Sequence, residues 1–119
     1  MGPDGRILWA NRAELDLVGY SEAEYVGRHI VDFFADPLAP GDILERTARG
    51  ERVEAYRTAI RTRDGGIKQV LIDGSGLFRG KEFVHSRLQS RDITGLIERE
   101  ELARHRVEAT SQLKDEFLA

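Results

Sequence analysis

The chain has 119 residues, 40% hydrophobic and 33% charged, with a net charge of −3 and no cysteine. That length suits one domain with an appended helix, and the missing cysteines exclude disulfides, thiolate metal sites and a cysteine nucleophile. No apolar run approaches the roughly 18 residues of a membrane span. The opening MGPDGRILWA lacks a signal-peptide pattern, and the scattered basic residues give no nucleic-acid footprint; these features fit a cytoplasmic protein.

In chain order, the Asp4-Gly5 turn signal leads into a short strand from Arg6 to Ala10. Asn11 to Glu14 has the form of a capping box, with the Glu14 carboxylate reaching back to the cap. Leu15, Leu17 and Val18 then supply a short apolar helix that Gly19 ends. Ser21 to Glu24 repeats the signature and opens a second short helix, and HIVDFFADP forms another buried turn. Asp36-Pro37 reads as an N-cap with proline at the first helical position. That helix buries Ile43 and Leu44, tolerates Pro40 in its first turn, runs to about Arg49 and closes at Gly50.

After Gly50 the period becomes alternating. Val53 to Arg63 reads as a strand with Tyr56, Thr58, Ile60 and Thr62 toward the core, and Ala55, Arg57, Ala59 and Arg61 outward. RDGG is a hairpin turn, IKQVLIDGSGLF a second strand, RGKE a turn and FVHSRLQS a third strand. GSGLFRG does not read as a phosphate loop, because Arg79 takes the third glycine place and no helix begins there. Gly74 and Gly76 instead mark a bulge or a close backbone approach. From Thr94 to Ala119 the pattern is helical again. This order is α+β, with short helices on one face of an antiparallel sheet and a long C-terminal helix.

GPDGRILWANRAELDLVGYSEAEYVGRHIVDFF, then RTRDGGIKQVLIDGSGLF, then RDIT, together resemble a PAS domain over roughly residues 3 to 94. The resemblance implies a PAS-like sensor domain over 1–93 and a linker helix over 94–119 that leads to a kinase dimerisation domain. It also implies a five-stranded sheet whose central strand precedes the PDG turn, where this sequence has only Met1 and Gly2. The first strand of the expected fold is therefore missing. It lies outside the sequence, or another chain supplies it, or the first and last strands pair directly. An unfilled slot would expose backbone donors and acceptors to another strand.

Asp92, Ile93 and Thr94 are similar to the Asp-Ile-Thr junction where PAS domains hand over to an output helix. Thr94 is suited to N-cap that helix and Asp92 to place negative charge at its positive end. The resemblance implies that Asp92 pairs with a basic residue of the sheet: Arg61, Arg63 or Lys68. A plain strand-to-helix cap is the simpler reading of the same residues. Leu96, Ala103, Thr110 and Phe117 recur every seven residues along the helix, with Arg99, Arg106 and Leu113 in the second row and Val107 beside it. Only half of that seam is apolar. The alternatives are a helix docked on its own domain and a parallel coiled coil of a homodimer, which the family uses. We expect the second, through Leu96, Ala103, Val107, Thr110, Leu113 and Phe117. Lys114, Glu116, Phe117, Leu118 and Ala119 resemble the K-x-E-F-L-A segment that precedes the phosphoacceptor histidine of sensor histidine kinases, and the histidine itself is absent.

Ligand-pocket candidates are Tyr56, Thr58, Ile60, Val70, Ile72, His85 and Arg87. His85, Arg87 and Gln89 share one face of the last strand, which either lines the pocket against a polar or anionic ligand or points outward. His29 is read as structural, His105 as solvated and Trp9 as a core residue. No two histidines have metal-ligand spacing, so no metal site is expected. Neither a nucleophile–base arrangement nor a paired-carboxylate cleft is visible, so catalysis by this chain is not expected. The cofactor is unknown. Haem-binding PAS domains use a histidine of the helix before the sheet, and DPLAPGDILERTARG has none; photoadduct members use a cysteine. The resemblance thus argues against both and leaves a non-covalent flavin or small metabolite. It implies a sensory module of a histidine kinase; the alternatives are a ligand-free dimerisation or docking module and a sensor for another output such as a nucleotide cyclase.

Overall fold

A computed structural model describes residues 1–104 of the chain. The expected dimer-helix positions Val107, Thr110, Leu113 and Phe117, with His105 and the KDEFLA segment, lie outside the described residues.

Helix α1 spans Arg12–Val18 and is capped by Asn11, whose side chain accepts from the Glu14 amide at 2.8 Å. Only half of the expected box forms, because the Glu14 carboxylate turns inward to the Tyr25 hydroxyl. Helix α2 spans Glu22–Tyr25 and has the complete box between Ser21 and Glu24. A 3₁₀ turn, Ile30–Phe33, follows, with His29 Nδ1 accepting from the Val31 amide. Helix α3 spans Ala39–Ala48 and begins later than Asp36-Pro37 suggested. Asp36 caps a preceding turn at Leu38, and Pro40 sets the helix start because its missing N–H belongs among the first-turn orphans.

Strands β1 (Val53–Arg61), β2 (Ile67–Arg79) and β3 (Glu82–Asp92) form an antiparallel sheet in the order β1-β2-β3. β1 stops short of Arg63 because the Thr62 amide already closes the turn on the Gly66 carbonyl. The register breaks between Val53 and Tyr56, where Ala55 is left-handed (φ 48°) and its amide is held by Asp73 at 3.0 Å. A second break lies between Leu77 and Phe78. Gly74 and Gly76 are therefore sites of close approach rather than the bulge itself: a Cβ at Gly76 would strike the Thr47 carbonyl of α3.

The expected strand from Arg6 to Ala10 shrinks to a single bridge between Arg6 and His29. Beyond it Leu8 and Trp9 are 55% and 71% exposed, so Trp9 is not a core residue. These residues have no strand beside them among the described residues, and an isolated extended segment has too few bonds to hold its length. The core lies between the inner face of the sheet and the helical segments. Ile60, Val70 and Ile72 meet Val18, Tyr25, Phe33, Phe34 and Ile43 there. Each fully buried aliphatic contributes about 1.5–3 kcal/mol. The buried hydroxyls of Thr47 and Ser86 satisfy each other at 2.6 Å, which seals α3 onto β3.

Candidate functional site: a cavity at the edge of the sheet and the junction it adjoins

A cavity of about 490 Å³ opens between the outer edge of β3, the segment around Ile7 to Trp9 and the first two helices. Its apolar wall is Ile7, Ile30, Phe34, Ile72 and Leu88. Consecutive residues of β3, His85 to Leu88, line it together. Neighbouring strand residues point to opposite faces, so the cavity must wrap the strand's free edge. At that edge the Met1 nitrogen donates to the Ser86 carbonyl at 3.0 Å and the Ser86 amide donates to the Met1 carbonyl at 2.8 Å. This is one rung of an antiparallel ladder.

Of the expected pocket residues, Ile72, His85 and Arg87 line this cavity, whereas Tyr56, Thr58, Ile60 and Val70 do not. Thr58, Ile60 and Val70 are buried in the sheet's inner face, and the Tyr56 hydroxyl donates to Asp42 at 2.9 Å under the Arg46 guanidinium. Sequence reading missed Glu14, Tyr25 and Ser90. Glu14 sits four residues before buried Val18, on the same helical face. A carboxylate on a core-facing stripe was the available signal.

The Tyr25 hydroxyl donates to Glu14 Oε1 at 3.0 Å. Burial pushes the Glu14 carboxyl up, and the Tyr25 and Ser90 hydroxyls offset only part of that. A raised carboxyl favours folding below the ordinary glutamate range and loses that contribution as pH rises through its folded value. Glu14→Gln keeps an acceptor for Tyr25 without the charge. Its melting temperature should exceed the parent's at pH 7, with the gap closing toward about pH 4. Thermal melts across that range check this; a gap independent of pH would contradict it.

At the end of β3, the Ile93 amide donates to the Gln69 carbonyl at 2.9 Å and the Gln69 amide donates to Thr94 Oγ1 at 2.8 Å. Asp92 Oδ1 accepts from the Thr94 amide at 3.0 Å, which holds its carboxyl below the usual range. The expected roles are thus exchanged: Asp92 caps, while Thr94 ties the helix start to β2. Lys68 is the basic partner, 3.9 Å from Asp92, and Arg63 pairs with Glu24 instead. Helix α4 covers 94–104, and Leu96, Leu102 and Ala103 on it are exposed. No helix among the described residues is long and apolar enough to cross a membrane.

Solved structures share this fold. The PAS domain of an HTR-like protein from Haloarcula marismortui is 26% identical with a TM-score of 0.65, over 78% of this chain and 77% of that one. The PAS-B domain of Cycle from Drosophila melanogaster, with bound ethylene glycol, is 14% identical with a TM-score of 0.69, over 76% and 93%. The LOV domain of a blue-light activated histidine kinase from Erythrobacter litoralis is 22% identical with a TM-score of 0.63, over 73% and 83%. No curated protein matches the chain. The family model described as PAS domain matches residues 1–95, spanning the three strands, the cavity and the junction, and the chain belongs to the PAS domain family.

Proposed function

We propose that this PAS domain is the sensory module of a cytoplasmic histidine kinase. A change in the cavity or at a dimer interface biases β3 and is passed through Asp92, Ile93 and Thr94 to the output helix. The observation that carries this reading is that one strand serves both places. Ser86, Leu88 and Ser90 line the cavity, and Asp92, two residues further along β3, caps α4. A shift of β3 cannot leave that cap untouched, and two packings a few kcal/mol apart suffice for a switch. The KDEFLA resemblance and the kinase origin of the Erythrobacter relative support the output. In this reading α4 continues as a long signalling helix and pairs with a second copy. The free edge of β3 takes a further strand that extends the Met1–Ser86 rung and closes the cavity.

Asp92→Ala in the full-length protein tests the junction. Stability should fall little, by about 1 kcal/mol, as for other lost caps, while the signal-dependent change in autophosphorylation is lost. Unchanged activity together with an unchanged response would sink the mechanism. The second reading, a docking or dimerisation module without a ligand, is favoured by exposed Leu8, Trp9, Leu96 and Leu102. It predicts a concentration-dependent dimer and an empty cavity.

A further inference from the structure

We propose that the solvent-facing side of the sheet docks an acidic amphipathic helix of another protein, laid along β2 between two rows of arginines. Thr58, Ile60, Val70, Ile72 and Ser86 are buried on the inner side, so their neighbours along each strand face outward. The register sets three outward residues side by side: Arg57 on β1, Leu71 on β2 and Arg91 on β3. Arg61 stands beside Ile67, and Arg87 beside Ser75. Ile67 and Leu77 are exposed, and with Leu71 they put apolar surface down the middle strand. Arg57 and Arg61 border it on one side, Arg87 and Arg91 on the other, all four exposed.

Charge and backbone bonding select the occupant. The chain has a net charge of −3, yet along these rows the four arginines meet a single carboxylate, Asp73; Glu54, at the bulge, shares a hollow with Arg52. Asp73 is already engaged, accepting from the Ala55 amide at 3.0 Å and lying 3.6 Å from Arg91. Arg57, Arg61 and Arg87 pair with no carboxylate among the described residues. A second copy presenting the same face would set arginine against arginine. A nucleic acid would supply phosphates but leave Ile67 and Leu71 without contact, and the rows from Ile67 to Ser75 hold no aromatic side chain to stack on a base. β2 is the middle strand, paired on both sides, so a segment lying on it gains no main-chain bonds and must satisfy its own. A helix does that. Its width of about 10–12 Å matches the roughly 10 Å between the strands that flank β2. α4 leaves the face open, since Ile67 and Arg91 stay exposed beside its start.

Synthetic helices of about 22 residues match the roughly 33 Å of strand from Ile67 to Leu77. Three of them are titrated against the 119-residue chain by fluorescence anisotropy: leucines at helical spacing flanked by glutamates, the same with lysines for the glutamates, and the glutamate helix with glutamines for the leucines. The first should bind at least about tenfold more tightly than either of the others, and more weakly as salt rises. Arg57→Glu combined with Arg87→Glu should weaken it at least about tenfold, and the same pair changed to glutamine should weaken it less. Arg12→Glu combined with Arg104→Glu makes an equal change in net charge at exposed positions off this face and should cost little. All of these side chains are exposed, so the variants should melt with the parent. Equal binding of the glutamate helix and either control, indifference to the arginine reversals, or no binding up to about 1 mM overturns the inference. So does tighter binding of poly-uridine RNA, or self-association of the chain that the reversals abolish. None of these outcomes touches the sensory reading, which stands on β3 and the junction.

Discussion

Phe33→Ala is expected to cost about 3–5 kcal/mol, the range for emptying a buried aromatic site. Phe33 is 2% exposed and stands at the centre of the aromatic packing among the described residues. Tyr20 meets it edge-on, 5.2 Å between centroids at 73°, and Tyr25 lies 4.7 Å away at 52°. Arg28 covers the ring at 5.3 Å. Such geometries add about 0.5–1.5 kcal/mol per aromatic pair beyond burial. The residue stands in a 3₁₀ turn anchored at one end by His29, with few backbone bonds to hold it once the ring is gone. A domain of this size has only about 5–15 kcal/mol in hand. Urea titration should show a lower midpoint at an unchanged slope. Phe33→Leu should recover more than half of the loss. A stability loss under about 1 kcal/mol for the alanine variant, from the midpoint shift and the slope, would mean that the ring is not the keystone that its burial indicates.

Gly76→Ala should destabilise by about 2–3 kcal/mol, although alanine is ordinarily the better residue in a strand. Gly76 has no positive φ, so backbone conformation does not require glycine there. Space does: an added Cβ would overlap the Thr47 carbonyl oxygen and approach Phe78 Cε2 to 2.9 Å. Thr47 cannot retreat cheaply, because its hydroxyl is bonded to Ser86 at 2.6 Å and to the Ile43 and Leu44 carbonyls at 3.0 Å. Overlap with backbone must lift the end of α3 off the sheet. At Gly74 the nearest atom is Leu88 Cδ2 at 2.6 Å, the end of a side chain that lines the cavity. Gly74→Ala should therefore cost less and shrink the cavity instead. Gly41→Ala, in α3 with nothing within 4 Å, should stabilise by up to about 1 kcal/mol. Melting temperatures of the three variants check the order; a neutral Gly76→Ala would remove the argument from close approach.

Much of the architecture was legible because its signals are local. Capping residues, glycine stops and the alternation of Tyr56, Thr58, Ile60 and Thr62 each act within a few residues, and the elements appear where those signals stand. The misreadings share one cause. Trp9 and the strand from Arg6 to Ala10 depend on which strand lies beside which. Periodicity assigns a side chain to a face of its own strand, and it says nothing about where a sheet stops. The cavity collects residues from both faces of β3 because it sits on an edge.

The sequence by itself determined the family, the α+β order, the hairpin turns and the place of Asp92, Ile93 and Thr94 where the last strand meets the following helix, since these rest on short motifs and on the spacing of apolar residues. Only the tertiary structure decided that Asp92 rather than Thr94 caps α4, that Lys68 is its partner, and that Glu14, Tyr25 and Ser90 converge. Each of these depends on contacts between residues far apart in the chain. Glu14 shows why such contacts escape sequence reading. As a capping residue its carboxylate would close on its own helix, but Tyr25, eleven residues later, offers a hydroxyl in a drier place and takes it inward.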